Sequence, residues 1–194
     1  MKNVYSAGLP FFIFFVSIPM LTAQAPSITA AIPVAASVEQ WGKFEVKLDV
    51  TGTWVNPYDY DEIRVAATFT DPDGQSKTVD GFFMQDHTIT NTQTGALSTV
   101  GNGGFKVRFS PDKPGVWTYA LSIANASGTG TFAPQTFTVT SADQAANSGF
   151  VRADQTNYLH FDDGKQYVPV GENIAWQSSN AYVDFKNWLT KLSD

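Results

Sequence analysis

The segment KFEVKLDV, residues 43–50, alternates polar and apolar side chains without interruption. Successive side chains of a β-strand point to opposite faces, so this period of two predicts a strand with one buried face and one solvent-exposed face. The apolar face carries Phe44, Val46, Leu48 and Val50, and the charged residues between them form the other face. A strand of this kind needs partner strands that cover its apolar face.

The same period recurs four times further along the chain. Its apolar positions are Ile63, Val65, Ala67 and Phe69; Phe105, Val107 and Phe109; Trp117, Tyr119, Leu121 and Ile123; and Phe137 and Val139. Turn residues separate these runs, namely Asp71-Pro72-Asp73-Gly74, Asn102-Gly103-Gly104, residues 110–115 and Asn125-Ala126-Ser127-Gly128. Short alternating strands at this spacing predict an all-β fold, an antiparallel β-sandwich over residues 37–140.

A predicted core follows from the same alternation, since one face of each sheet must pack against the other. We expect eight side chains to be largely buried: Phe44, Val46, Val65, Phe69, Val107, Trp117, Tyr119 and Leu121.

The N-terminus has the organisation of a secretory signal peptide over residues 1–25. Lys2 precedes an apolar run that is densest at residues 11–18, and Leu21-Thr22-Ala23-Gln24-Ala25 supplies small residues for cleavage. The apolar run is shorter than the ~20 residues that cross a bilayer, which favours cleavage over a retained anchor. We therefore expect a secreted or periplasmic protein with no membrane contact after cleavage. Residues 26–36, rich in Ala and Pro, are interpreted as a linker or a loosely held first strand.

Composition excludes several classes of function. The chain has no cysteine, so disulfides, thiolate metal sites and a cysteine nucleophile are excluded, and stability must come from the apolar core. Acidic residues number 18 against 12 basic ones, with a net charge of -6. The basic residues are scattered and form no stripe, which argues against nucleic acid as a partner. Neutral ligands such as glycans fit this charge balance better.

The pattern changes after residue 140. Residues 141–149 are small and polar, as is typical of a linker between domains. Tyr158-Leu159-His160-Phe161, a turn at Asp162-Asp163-Gly164-Lys165 and the apolar residues 166–170 then predict a β-hairpin. Near the end, Phe185, Trp188, Leu189 and Leu192 have the spacing of one face of an amphipathic helix. A strand followed by a helix suggests a first βα unit.

Five segments carry a resemblance to a known family. SVEQWGKFEVKLDV (37–50), NPYDYDEIRVAATFTDPDG (56–74) and FKVRFSPDKPGVWTYALSI (105–123) resemble the immunoglobulin-like N-terminal domain of bacterial secreted glycoside hydrolases, often known only as a domain of unknown function. YLHFDDGKQYVPVGENIAW (158–176) and YVDFKNWLTKLSD (182–194) resemble the first strand and first helix of the cellulase-type (β/α)₈ catalytic domain that follows it.

The resemblance implies an immunoglobulin-like sandwich followed by the start of a truncated (β/α)₈ barrel in residues 150–194. A complete barrel needs ~250 residues, so most of it is missing. Hydrolases of this type use two carboxylates that project from later strand ends. No catalytic residue is therefore assigned in this chain, and we expect the chain alone to be inactive.

Glu172, Asn173 and Trp176 are the candidate substrate contacts, because they follow the apolar strand whose C-terminal end would face the substrate in a barrel. Glu172 and Asn173 could bind sugar hydroxyls, and Trp176 could stack on a pyranose ring. The alternative is structural: Glu172 would support neighbouring loops and Trp176 would pack against the helix.

A second candidate surface consists of Trp54, Tyr58 and Tyr60, which cluster in one turn-like stretch. Aromatic rings of this kind can hold glycans, but they can equally pack the edge of the sandwich while keeping their polar tips hydrated. The two readings correspond to two functions. The favoured one is the N-terminal accessory portion of a secreted glycoside hydrolase that acts on polysaccharide, with the rest of the barrel in cis. The alternative is a non-catalytic carbohydrate-binding or adhesion module.

No metal site or cofactor is expected. The pairs Asp71 and Asp73, and Asp162 and Asp163, lack the later Glu of a calcium loop and match hairpin turns. The two histidines, His87 and His160, have no cysteine partners for zinc, and His160 is expected to flank a strand.

Overall fold

The structure of the protein is a computed structural model that describes residues 24–143, 145–153, 158–171, 173–174, 176–178 and 180–193. Most of the predicted signal peptide, residues 1–23, lies outside this range. The described part contains twelve strands and one helix: β1 (Ser27–Pro33), β2 (Ser37–Glu39), β3 (Phe44–Thr51), β4 (Arg64–Thr70), β5 (Ser76–Asp80), β6 (Phe82–Asn91), β7 (Ala96–Phe109), β8 (Gly115–Asn125), β9 (Gly128–Thr140), β10 (Val151–Ala153), β11 (Leu159–Phe161), β12 (Gln166–Tyr167) and α1 (Ala181–Ser193).

Nine of these strands form the two sheets of the predicted sandwich. One sheet has the order β1-β3-β7-β6 and the other has the order β2-β9-β8-β4-β5. Neighbouring strands are antiparallel except β2 and β9, which are parallel. All eight residues of the predicted core are at most 2% exposed. The all-β class and the register of the alternating strands are therefore confirmed.

Aromatic rings hold the two sheets together. Phe44 of β3 stacks on Phe137 of β9 with ring centroids 3.7 Å apart, and Phe69 of β4 stacks on Phe109 of β7 at 4.2 Å. Each stack joins one sheet to the other. Tyr119 contacts the edge of Phe44 at 5.5 Å. Since aromatic side chains bury large areas and their pairs add a favourable contact, this cluster supplies the stability that a cysteine-free domain requires.

The sandwich begins earlier than residue 37. β1 pairs antiparallel with β3, from Ser27 opposite Thr51 to Pro33 opposite Val46, and Ile28 is buried in the core. The linker interpretation of residues 26–36 is therefore wrong for β1, and the strand interpretation is correct. The sequence of β1 lacks a clear alternating pattern because only one of its residues, Ile28, is buried in the core.

The glycines around residue 103 do not reverse the chain. β7 runs straight through Asn102-Gly103-Gly104, and its pairing with β6 shifts register next to Met84, which marks a β-bulge. Gly101 and Gly103 have φ of 65° and 74°, a conformation that favours glycine. The predicted turn is therefore wrong. The other turns are confirmed: residues 71–74 join β4 to β5, and residues 126–127 join β8 to β9.

β6 and β7 form a long hairpin whose outer part extends beyond the sandwich. Residues 87–100 of this hairpin are exposed on both faces except Gly95 near the tip, which is half-buried. We call residues 87–100 the arm. A two-stranded ribbon is only marginally stable in water by itself, so the contacts at its tip are important for its position.

The charged face of β3 is less exposed than alternation predicts. Glu45 is buried because it lies beside its register partner Arg108, which donates a short hydrogen bond from Nε to Glu45 Oε2. Lys106 is also buried, and its Nζ lies 2.5 Å from Asp86 Oδ1. Burial raises the pKa of Glu45, but Arg108, Lys43 and Lys106 together outweigh this effect and hold the pKa below its usual value.

The C-terminal part forms a small three-stranded antiparallel sheet, β10-β11-β12, followed by α1. The predicted hairpin and helix are confirmed. The apolar strand expected to reach Val170 ends at Tyr167, and Val168 and Val170 are exposed. Pro169 has no N–H to donate to a neighbouring strand. A (β/α)₈ barrel is built from parallel strands, so its start stays a prediction.

No helix in the described ranges is long and apolar enough to cross a bilayer. In α1, Leu189 and Leu192 are exposed. Trp188 is only half exposed because it packs edge-on against Phe185, with ring centroids 5.2 Å apart.

Candidate functional site

The C-terminal candidate contacts lie in the segment of the chain between β12 and α1. Glu172 lies outside the described residues. Asn173 is exposed, and the indole of Trp176 is 89% exposed. The structural alternative, in which Trp176 packs against the helix, does not fit this exposure. An exposed indole can stack on a sugar ring, and an exposed amide can hydrogen-bond to sugar hydroxyls. The role of Asn173 and Trp176 as substrate contacts stays a prediction.

Hydrogen bonds fix the end of this segment to the start of α1. Asn180 Oδ1 accepts from Val183 N at 3.2 Å, which is an N-cap. Ser178 donates to Asp184 Oδ2 from its backbone N at 2.7 Å and from its hydroxyl at 2.6 Å. These bonds hold the pKa of Asp184 below its usual value. The carboxylate thus stays ionised near the positive end of the helix dipole.

The second candidate surface begins in the loop between β3 and β4. Glu62 Oε2 accepts hydrogen bonds from Val55 N at 2.7 Å and Asn56 N at 2.9 Å, which fixes the backbone beside Trp54. Trp54 is half-buried and meets Phe105 of the core edge-on at 5.5 Å. Its indole is therefore held in one position.

Tyr58 and Tyr60 share one depression of this surface, and Trp54 lines two others. Tyr58 is 65% exposed and meets Phe83 edge-on at 5.1 Å. Tyr60 lines the same small depression as Tyr58 and Phe83, and the guanidinium of Arg64 lies 5.2 Å from the Tyr60 ring centroid. Burial and a hydrogen bond to Asp80 raise the pKa of Tyr60 to about 12. Tyr60 is 40% exposed, so both tyrosines are more accessible than the half-buried Trp54.

Open depressions lie on both sides of Trp54. One has a volume of about 430 Å³ and is lined by residues 53–55, Asp61, Glu62 and the β8–β9 turn. The other has a volume of about 410 Å³ and lies between β3 and the bulge of β7. Asp49 and Asn102 share the second depression with Trp54 and were not among the contacts predicted from the sequence. The feature of the sequence that could have indicated this depression is the run of glycines within a strand, because such glycines can mark a bulge or the close approach of a ligand.

The acidic pairs form turns whose carboxylates pair with basic side chains. Asp71 Oδ1 accepts from Asp73 N and Gln75 N, while Lys113 Nζ lies 2.6 Å from Asp71 Oδ2 and holds the pKa of that carboxyl below its usual value. Asp162 likewise pairs with Arg152 at 2.8 Å. Within the described residues, no three His, Cys, Asp or Glu side chains are grouped as metal ligands. His160 was expected to flank a strand and lies within one, β11.

The sandwich contacts the C-terminal part at Trp41. This residue has a φ of 63°, which is unusual for a bulky side chain, and its backbone is held by Pro111 O and Ser110 Oγ. Its indole lies against Gly149, where a Cβ would be only 2.7 Å from Trp41 Cε2 and 2.7 Å from Asp162 Cβ. Only glycine fits between the sandwich and the small sheet at this position.

A second contact joins the arm to α1. A Cβ at Gly95 would lie 2.7 Å from Asn180 Oδ1 and 2.8 Å from Tyr182 Cβ. Asn180 Nδ2 also donates to Gln93 O at 3.4 Å. The tip of the arm therefore touches the residue that caps the helix.

Comparisons with known proteins agree with this organisation. Residues 37–124 match a family described as a domain of unknown function (DUF5060). The crystal structure of a putative glycoside hydrolase from Bacteroides vulgatus ATCC 8482 is similar to the chain, with 30% sequence identity and a TM-score of 0.50. The likeness covers 70% of this chain and 22% of that protein, so the chain spans about a fifth of its length. No curated protein matches the sequence. The sandwich is thus similar to a domain of unknown function, and the chain is similar to part of a putative glycoside hydrolase.

Proposed function

We propose that this chain is the N-terminal accessory portion of a secreted bacterial glycoside hydrolase that acts on polysaccharide. The observation that carries the proposal is the likeness to a putative glycoside hydrolase over 70% of the chain. In this proposal the sandwich supports and orients a catalytic barrel that follows it in the same polypeptide. The signal peptide directs the protein to the periplasm or the exterior, where the polysaccharide is encountered.

The two contacts between the sandwich and the C-terminal part support an orienting role. Trp41 meets Gly149 at the junction, and the tip of the arm meets α1 at Gly95. These contacts lie at opposite ends of the C-terminal part along the chain, at its start and at its helix. Two separated contacts restrict rotation between neighbouring units more than a single linker does.

Catalysis itself requires residues beyond those of this chain. Glycoside hydrolysis that retains configuration needs two carboxyl groups about 5–5.5 Å apart on the two sides of the bond. In the proposed enzyme these groups project from later barrel strands. Asn173 and the exposed Trp176 then contribute substrate contacts, together with Glu172.

The test is a comparison of glycosidase turnover on a panel of β-linked polysaccharides. We expect no turnover by the purified chain and turnover by the longer protein that the proposal requires. A Glu172→Gln variant of the chain is the matched control. Turnover by the chain that disappears in this variant would place catalysis within these residues and overturn the proposal.

A further inference from the structure

The depression between β3 and β7 exists because the two strands separate there. Their ladder runs from Phe44 opposite Phe109 to Leu48 opposite Phe105 and ends at that pair. Beyond it β7 bulges at the glycines while β3 continues beside β1. The resulting space, about 410 Å³, lies within the range of volumes that small-molecule sites occupy. We call it the bulge depression; its lining residues are Leu48, Asp49, Val50, Trp54, Phe83, Asn102, Gly103, Gly104 and Phe105.

Gly104 is a glycine that neither the backbone nor the packing requires. Unlike Gly101 and Gly103, it does not have a positive φ. A Cβ at Gly104 would meet no heavy atom within 4 Å. A strand interior normally favours residues with side chains, because glycine there costs stability and buries nothing. The missing side chain instead keeps the floor of the bulge depression open, as at positions where a ligand approaches the backbone.

The walls of the bulge depression combine a fixed aromatic ring with available polar groups. Trp54 is held by its edge contact with Phe105 and by the backbone that Glu62 fixes. Asp49 and Asn102 are exposed, and no described residue forms a hydrogen bond or ion pair with either side chain. A site of mixed character, apolar on one wall with a few polar groups around it, binds ligands that have both an apolar face and hydroxyl groups.

We propose that the bulge depression binds a neutral oligosaccharide segment, with one sugar ring against Trp54 and its hydroxyls hydrogen-bonded to Asp49 and Asn102. A pyranose ring has C–H groups on its faces and hydroxyls at its rim, which is the combination that these walls complement. The choice of polysaccharide as the source of the ligand rests on the proposed function. The carboxylate of Asp49 repels acidic sugars, as does the net charge of -6.

The test is calorimetric titration of the purified chain with neutral β-linked polysaccharides, with polygalacturonate as the acidic comparison. The decisive variant is Gly104→Val, which fills the bulge depression with a residue that suits a β-strand. Trp54→Ala removes the aromatic wall. Thr136→Val is the matched control, because it adds an exposed valine to β9 in the other sheet. Thermal unfolding of each variant verifies that it is folded.

We expect binding of at least one neutral polysaccharide, weakened roughly tenfold or more by Gly104→Val and by Trp54→Ala and unchanged by Thr136→Val. The proposal is overturned if no neutral polysaccharide binds, if polygalacturonate binds more tightly, or if Gly104→Val binds like the wild type. Hydrolysis by the longer protein without binding by this chain would leave the proposed function standing and remove the bulge depression from it. Binding by this chain without hydrolysis by the longer protein would do the reverse.

Discussion

Replacing Gly95 by alanine is expected to detach the arm from α1. The new Cβ would lie 2.7 Å from Asn180 Oδ1, so the two groups must separate by roughly 0.7 Å to reach an ordinary contact of 3.4 Å. Asn180 caps the helix and donates to Gln93 O, and both interactions depend on its present position. Loss of a cap costs about 0.5–2 kcal/mol and loss of a hydrogen bond about 0.5–1.5 kcal/mol.

Gly101→Ala is the matched control for the backbone. Gly95 and Gly101 have nearly equal φ, 68° and 65°, so alanine brings a similar left-handed strain of ~1–2 kcal/mol to each. A Cβ at Gly101 would meet nothing within 4 Å. The difference between the two variants therefore measures the contact with α1, for which we expect about 1–2 kcal/mol.

Hydrogen exchange of the α1 amides reports this difference directly. Because about 1.4 kcal/mol corresponds to a factor of ten, the amides of α1 should exchange roughly tenfold faster in Gly95→Ala than in Gly101→Ala. The core amides of β8 should exchange alike in the two variants. Equal exchange of α1 in both variants and in the wild type would refute the reasoning that the arm holds the helix.

Further predictions concern the sandwich. Phe44→Ala should lower the free energy of unfolding by about 3–5 kcal/mol in a urea titration, whereas Val116→Ala on an exposed face should change it by less than about 0.5 kcal/mol. The ion pair with Lys113 lowers the folded pKa of Asp71, so its stabilisation is present above the unfolded pKa of about 3.9 and is lost as the pH falls through the folded value. Asp71→Asn should therefore reduce the melting temperature at pH 7 more than at pH 3, and the exposed Asp61→Asn should not; an equal reduction by Asp71→Asn at both pH values would contradict this sign.

The strands with a continuous apolar face could be predicted from the sequence. In β3 and β8, core-facing residues such as Val46 and Tyr119 alternate with polar ones, because a single face of each sheet is buried. β1 and β6 lack this signal. β1 places one residue, Ile28, in the core, and β6 is interrupted by polar side chains such as Gln85. Strands of this kind depend on their neighbours in the sheet for their stability.

Glycines between two apolar runs can mark either a turn or a β-bulge within one strand, and a single sequence does not distinguish the two. Asn102-Gly103-Gly104 has the composition of a turn, yet β6 remains paired on both sides of it and the chain continues straight. The bulge, and with it the bulge depression beside Trp54, follows from tertiary pairing. Likewise, the positive φ of Trp41 is set by hydrogen bonds to residues about 70 positions away, which local sequence does not indicate.

Among the candidate contacts, the sequence identified the residue types but not their arrangement. Trp54, Tyr58 and Tyr60 lie within seven positions, so they looked like one surface. Tyr58 and Tyr60 line one small depression, and Trp54 lines others beside the strands. Local proximity in sequence therefore indicated the neighbouring tyrosines, whereas the depressions beside Trp54 depend on how the strands pair.

The central claim is that the sandwich assists a polysaccharide hydrolase in the same polypeptide. It is tested most directly by measuring hydrolysis by the longer protein with and without residues 24–140. We predict that the rate on polysaccharide falls more than the rate on a short soluble oligosaccharide, whose retained turnover shows that the catalytic part is folded. Equal rates on the polysaccharide with and without the sandwich would contradict the claim.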